Sequence, residues 1–355
     1  MTELPNVTAR FAPQPPAVAW PTEQWPRGTH ARHDQLEVVV DELFSDADLA
    51  ITNAVVVVQG GRVLIERYAG VQEYFDRPAE PVTSESALLS WSMAKSVLHM
   101  IIGTLVDDGQ LHPQRRAPVA EWQLANDPRH QIRLCDLLAM RDGLDFVEVY
   151  ESASRSDVID MLFGDGRADM AAFTAARPLA HAPDSFFNYS SGTTNLLSRI
   201  VAEHVGFGEE YASYLRERLL GPIGMTSAVA TFDASGVWTA SSYLHARALD
   251  FARFGLLYLR GGQWDGRQLI SRAWTETAQR PLSLDEGSGD FYAWQWWVTG
   301  DEYGTYWASG YEGQMICIVP ALDALILRFG HTPEANYPAL KQWRRRLLAV
   351  LAAAN

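Results

Sequence analysis

Of the 29 basic residues in this 355-residue chain, 27 are arginine; the two lysines are Lys95 and Lys341. Lys341 opens the stretch KQWRRRLL and reads as surface charge. Lys95 sits in LLSWSMAKSVLHMIIGTLV, an almost wholly apolar run. Arginine stays protonated in proteins, whereas a desolvated lysine can lose its proton. Coding bias also enriches arginine, so the place of Lys95 carries more than its rarity. Three residues upstream is Ser92, which makes Ser-x-x-Lys, the spacing at which a lysine activates a serine for acyl transfer.

The pattern around this pair reads as a buried helix over 92–108, with Gly109 past its end. A first-turn Ser92 has a backbone N–H without an intrahelical partner, able to face a reacting carbonyl oxygen. The positive helix end favours a developing oxyanion. Lys95, one turn on, shares a face with Ser92 and comes within hydrogen-bonding reach. A free lysine has a pKa of about 10.4, and full burial can lower it by up to about 3–5, enough to populate the amine.

Two further segments carry candidate chemistry. In PDSFFNYSSGTTNLLSRI, Tyr189 would sit on a loop entering a helix, where its phenol could relay a proton between nucleophile and leaving group. Taken alone, it reads as an ordinary core or surface tyrosine. In Trp307-Ala308-Ser309-Gly310-Tyr311-Glu312-Gly313-Gln314, an edge strand meets glycines and lets a substrate backbone approach closely. By itself that is simply a hairpin turn. Tyr150, in DFVEVYES, is a further candidate for substrate contact. The aromatic run 291–297 either lines a cleft or packs a core. His99, one turn past Lys95, reads as a packed core residue.

The elements that must position these groups follow from local pattern. Residues 1–30 are Pro-rich and read as an extended arm. A short helix is expected over 35–44, and a β-hairpin over 53–69 about Gly60-Gly61. The middle reads as helical and loop-rich, most clearly in IRLCDLLAMRDGLDF and SGTTNLLSRIVAEHVG. HARALDFARFGLLYLRGG reads as an amphipathic helix stopped by Gly261-Gly262. Short strands return over 303–309, 314–319 and 324–329, before a closing helix over 337–353. Strands, then helices, then strands imply an α+β fold: one antiparallel sheet flanked by helices, with a mostly helical inserted lobe. The expected division is the arm 1–30, a sheet lobe of 31–109 and 231–355 including the nucleophile helix, and a helical lobe of 110–230, with a cleft between the lobes.

Composition narrows the function. Apolar residues make up 47% and charged residues 20%, an ordinary globular balance. A formal net charge of −14 argues against a nucleic-acid surface. The two cysteines, Cys135 and Cys317, form no Cys-x-x-Cys pair and read as buried free thiols. There is no His-Glu-x-x-His and no Gly-x-Ser-x-Gly. The N-terminus lacks a basic start followed by an apolar core, and the longest apolar stretch is too short to span a bilayer, so the expected setting is cytoplasmic, without a membrane partner.

Taken together, the motifs resemble the serine β-lactamase and penicillin-recognising superfamily, in its class C-like branch with family VIII carboxylesterases and 6-aminohexanoate-dimer hydrolases. The likeness covers roughly residues 50–330. LLAMRDGLDF resembles that family's LL-x-x-x-SGL segment, and GPIGMTSA and ARALDFARFGLLYLRGGQWDGRQLIS resemble its later helices. The resemblance implies a β-lactamase-like fold, Ser92 as nucleophile, Lys95 as general base and Tyr189 as a second acid/base group. It implies an oxyanion hole of the Ser92 and Tyr311 N–H groups. Ser191 falls where β-lactamases usually carry Asn, and Ala308-Ser309-Gly310 replaces their Lys-Thr-Gly. With Tyr150, these four residues are the expected substrate contacts. The departures favour esters or linear amides over β-lactams. The expected activity is a serine hydrolase forming an acyl-enzyme on Ser92, with a small-molecule ester or amide substrate and neither metal nor organic cofactor. A β-lactamase, a D-alanyl peptidase and a non-catalytic acyl-ligand binder are the alternatives.

Overall fold

The computed structural model describes residues 4–353 other than 6, 74–77 and 151–154. Residues 1–3 and 6 of the expected arm lie outside the described residues. The strand Ile51–Gln59 carries seven consecutive buried residues, Thr52 to Val58. Such a run, rather than an alternating one, marks a strand covered on both faces. Gly60 and Gly61 take φ of 58° and 70°, the left-handed pair that a two-residue hairpin turn demands, and the chain returns as Arg62–Tyr68.

Eight antiparallel strands form one sheet in the order Ser283–Leu284, Phe291–Tyr292, Trp297–Val298, Tyr306–Gly310, Gln314–Val319, Ala324–His331, Ile51–Gln59, Arg62–Tyr68. The early hairpin joins the late strands directly, with Val57 opposite Ile326. This is the α+β, β-lactamase-like arrangement expected from the sequence. On one face, Ala54, Val56, Ile316 and Leu327 pack with the helices Met93–Asp107 and Ala248–Leu259. On the other, Val55, Val57, Cys317 and Ile326 pack with His33–Ser45 and Tyr337–Ala352.

Three local expectations are corrected. The stretch IRLCDLLAMRDGLDF is helical only over Leu134–Leu138; Met140 and Gly143 then take φ of 56° and 81° and turn the chain. A Cβ on Gly143 would lie 2.3 Å from the His181 carbonyl oxygen, so this turn packs backbone against backbone. The helix Ala248–Leu259 is buried nearly all round, not amphipathic, because it lies between the sheet and the N-terminal arm. Trp25 is buried there and donates to the Leu249 carbonyl at 3.1 Å, and Ala12 N–H donates to Leu259 at 3.2 Å. The first of the three expected late strands begins at Tyr306, three residues after the expected start.

The nucleophile helix Met93–Asp107 is buried through Leu105. His99 lies inside it, stacked on Trp274 at 4.8 Å and bonded to Tyr258 (2.7 Å) and Thr277 (3.0 Å). Burial pushes its pKa down to about 3, which keeps the ring neutral and makes it the core residue expected. Among the described residues, no helix is long and apolar enough to cross a membrane. Gly103 sets how closely Trp274 approaches, since a Cβ there would lie 2.3 Å from Trp274 Cδ1. Gly103→Ala is therefore expected to destabilise the fold by about 1–3 kcal/mol through overpacking, read as a lower denaturant midpoint in urea unfolding.

Candidate active site

The turn before the nucleophile helix is held from two sides. Leu88–Leu89 pairs with Leu244–Ala246, which also pairs with Val229–Ala230, in a small separate sheet. The ladder continues into Ser90, whose N–H donates to Leu244 O (2.9 Å) and whose hydroxyl accepts from Leu244 N–H (3.2 Å). Trp91 follows at φ 44°, a conformation costing about 1–3 kcal/mol for a bulky residue and kept only where the surroundings impose it. Here the Trp91 ring is held 5.7 Å from Tyr311 and 6.2 Å from Tyr243. Ser92 occupies the N-cap position, but its side chain does not cap the helix. The hydroxyl is thereby left to face Lys95.

Lys95 is 1% exposed. Its Nζ lies 3.0 Å from Ser92 Oγ, 3.1 Å from Ser191 Oγ and 2.9 Å from the Ser241 carbonyl oxygen. The Ser241 carbonyl is steadied in turn, because Ser241 N–H donates to Asn195 Oδ1 at 3.2 Å. The amine also lies 4.9 Å from the centre of the Tyr189 ring.

Tyr189 precedes the helix Ser191–Val205, which Ser190 caps by accepting from Thr193 N–H at 3.0 Å. The turn at 140–148 clamps this loop. Asn188 N–H donates to Met140 O (2.9 Å), Asn188 Nδ2 to Phe146 O (2.9 Å) and Thr193 Oγ1 to Asp142 (2.8 Å). Tyr189 packs against Tyr292 (5.8 Å) and Trp297 (5.6 Å), so part of the aromatic run lines the site. Trp296, from the same run, is core, stacked on Phe254 and Tyr258.

The late strand Tyr306–Gly310 is fourth of eight, not a true edge. Its ladder to Trp297–Val298 nevertheless stops at Trp307, so residues 308–310 pair only with residues 314–316 on the other side, among the described residues. The free flank is what an approaching acyl chain needs. A Cβ on Gly310 would lie 2.5 Å from Ser90 O, so only glycine lets this strand end meet the nucleophile turn. Arg328, fully buried, donates to Gly313 O at 3.0 Å and Ile51 O at 2.8 Å and so fixes the turn after Tyr311.

Of the nine residues expected from sequence, Ser92, Lys95, Tyr189 and Ser191 converge, with Gly310 and Tyr311 beside the nucleophile turn. Tyr150 stacks on Tyr311 at 4.9 Å at the rim. Three of the expected substrate contacts do not offer their side chains to the site. Ser191 is fully buried, with its hydroxyl committed to Lys95 and to Glu148. Ala308 is buried against the core and Ser309 alternates to the opposite face of the sheet, so this strand presents its backbone rather than its side chains.

Sequence reasoning missed Glu148. Its carboxylate accepts from Ser191 N–H (2.8 Å), Ser191 Oγ–H (2.6 Å) and Tyr150 OH (2.5 Å). The available signal was spacing: in an extended segment Glu148 and Tyr150 point the same way. Ser241 was missed because it acts through its backbone oxygen. Among the described residues, no group of three or more His, Cys, Asp or Glu is placed to hold a metal.

A family description of beta-lactamase matches residues 40–351. The chain belongs to the beta-lactamase family. It is 28% identical over 333 residues to the 6-aminohexanoate-dimer hydrolase of Paenarthrobacter ureafaciens, covering 88% of this chain and 80% of that one. Among solved structures it resembles a Bacillus anthracis protein provisionally named a 6-aminohexanoate-dimer hydrolase (TM-score 0.74, 22% identity, 97% and 90% covered). It also resembles a family VIII carboxylesterase (TM-score 0.68, 12% identity, 93% and 99% covered). At these identities the two structural likenesses show the fold.

Within this beta-lactamase-family site, the electrostatics separate two roles. Burial lowers the Lys95 pKa to about 8, against the opposing pull of Glu148. Burial, then the Glu148 charge, raises the Tyr189 phenol well above its ordinary value, more than its hydrogen bond to Ser92 lowers it. At neutral pH the phenol is a donor, and the amine is the group able to take a proton. The pH dependence follows with its sign: Lys95 must be neutral to act, so kcat/KM on a p-nitrophenyl ester should rise with pH through a midpoint near 8. Lys95→Arg should lose about 100-fold or more in kcat/KM at every pH.

Proposed function

We propose that this chain is a serine hydrolase that cleaves a carboxylic ester or linear amide through an acyl-enzyme on Ser92. The observation that carries the reading is the buried Lys95 amine 3.0 Å from Ser92 Oγ, with the Tyr189 ring centre 4.9 Å from the same amine. Ser92 Oγ attacks the substrate carbonyl carbon while its proton passes to Lys95. The oxyanion forms at the N-terminus of the helix, where the Ser92 and Tyr311 N–H groups would hold it; losing one such donor typically costs about 2.7–4 kcal/mol. The leaving alkoxide or amine takes a proton from the Tyr189 phenol, which Lys95 replaces. Water then repeats the sequence in reverse and frees Ser92.

Linear substrates are favoured over β-lactams by Ala308. A buried methyl stands where a lysine would hold a carboxylate, and no charge replaces it on that strand. The named relatives, a 6-aminohexanoate-dimer hydrolase and a family VIII carboxylesterase, are consistent with that choice. We place the protein in the cytoplasm, a setting supported by two buried free thiols, Cys135 and Cys317.

Ser92→Ala should abolish labelling by a fluorophosphonate probe and the acyl adduct seen by intact mass; undiminished labelling rejects the assignment. The wild-type enzyme should turn over p-nitrophenyl esters or linear amides well ahead of nitrocefin. Nitrocefin hydrolysis faster than any ester or amide would assign the site to β-lactams instead.

A further inference from the structure

Three groups surround the Lys95 nitrogen, and counting their hydrogens decides where the amine's lone pair can point. As an ammonium, Lys95 donates three hydrogens, one each to Ser92 Oγ, Ser191 Oγ and Ser241 O. As an amine it keeps two, and one neighbour must change from acceptor to donor. A carbonyl oxygen has no hydrogen to give, which removes Ser241. The Ser191 hydroxyl has one hydrogen, and it points to Glu148 Oε1 at 2.6 Å. That leaves Ser92.

We infer that Glu148 is a positioning residue: by holding the Ser191 hydroxyl hydrogen, it leaves Ser92 as the one of the three neighbours that can donate into the Lys95 lone pair. The inference rests on the acyl-transfer reading of Ser92 and Lys95. In the step concerned, the Ser92 O–H bond breaks and an N–H bond forms at Lys95. The oxygen's electron pair goes to the substrate carbonyl carbon, and the carbonyl π pair goes to the oxyanion. Without Glu148 the Ser191 hydroxyl is free to rotate and give its hydrogen to Lys95. The lone pair would then be spent on a serine that attacks nothing.

Glu148 is itself well placed for this task. Its two oxygens accept from the N–H and hydroxyl of Ser191 together, which fixes that side chain against the start of its helix, and Tyr150 OH closes the rim side at 2.5 Å. The other groups around Lys95 leave the assignment to Glu148. On the lysine's own helix, Ser96 is bonded to Gln295 O and His99 to Tyr258 and Thr277. From the tyrosine loop comes the neutral Tyr189 ring; Asp142, below it, is bonded to Leu144 N–H and Thr193. Behind Tyr189 lies Tyr292, which burial keeps protonated.

The presence of two lysines makes the test direct. With lysine labelled at the ε carbon and amine nitrogen, the NMR spectrum holds two side-chain amine signals, and Lys341→Arg assigns them. In wild type, Lys95 should titrate near 8. In Glu148→Gln its midpoint should fall, because a negative charge that favoured the ammonium is gone; an unchanged midpoint overturns the coupling. For the proton route, acylation by a p-nitrophenyl ester is timed on the high-pH plateau. Glu148→Ala should slow it by about 10- to 100-fold, part of what a positioned base supplies. Adding Ser191→Ala to that variant should restore much of the loss, since the stray hydroxyl hydrogen is removed. A merely structural role for Glu148 predicts the opposite: a double variant as slow as Glu148→Ala, or slower, overturns the inference, as does Glu148→Ala acylating at the wild-type rate. If no ester acylates the wild-type protein, it is the acyl-transfer reading that fails, and the lysine titration still decides whether Glu148 governs Lys95.

Discussion

A primary amine stripped of water is the constraint around which this molecule is arranged. Lys95 is almost fully buried, and an uncompensated ammonium there would be very costly. Three oxygen atoms from three separate stretches of chain meet that cost: Ser92 on its own helix, Ser191 on the tyrosine loop and Ser241 in the segment leading to the small sheet. Burial lowers the lysine's pKa to about 8, which brings its neutral form within reach just above neutral pH. Ser191 Oγ is tied further to Glu148, and Ser241 is held through its N–H by Asn195.

Those ties explain much of the fold near the site. The large sheet is a platform that carries the nucleophile helix on one face. The small sheet holds Ser90 and imposes the strained Trp91 that presents Ser92. Gln295, at φ 57°, joins three elements through its carbonyl and amide: it accepts from Ser96 and Thr194 and donates to Leu138 O. It thereby locks the nucleophile helix, the tyrosine helix and the short Leu134–Leu138 helix into one unit. Arg328 does the same for the turn beyond Tyr311. Its burial lowers its pKa to about 10, yet backbone carbonyls satisfy it.

What was legible in the sequence had local causes. A paired glycine with β-branched flanks is a hairpin wherever it occurs, and residues 51–68 form one. A serine and lysine one turn apart on an apolar helix must be neighbours, which is why Ser92 and Lys95 meet as expected. What was hidden depended on partners distant in sequence. The two-residue strands at 283–298 exist because the sheet extends them, with too little pattern to announce themselves. The segment around Leu134 to Phe146 has helical composition but folds as a turn, because backbone contact at Gly143 and the grip on Asn188 and Thr193 outweigh propensity. Ala248–Leu259 read as amphipathic because sequence cannot say that the arm covers its outer face.

The chain's residue types and spacing by themselves determined that a hydroxyl and an amine would share one helical face, that a phenol would head a second helix, and that a glycine would end a late strand. These follow from 3.6-residue periodicity and from steric limits on φ, which act within a few residues. Only tertiary structure decided that Ser191 would be a buried prop rather than a substrate contact, that Ser241 would serve through its carbonyl, and that Glu148 would reach beneath the tyrosine loop. Hydrogen-bond direction at a buried amine is set by every neighbour at once, and those neighbours are brought together by packing.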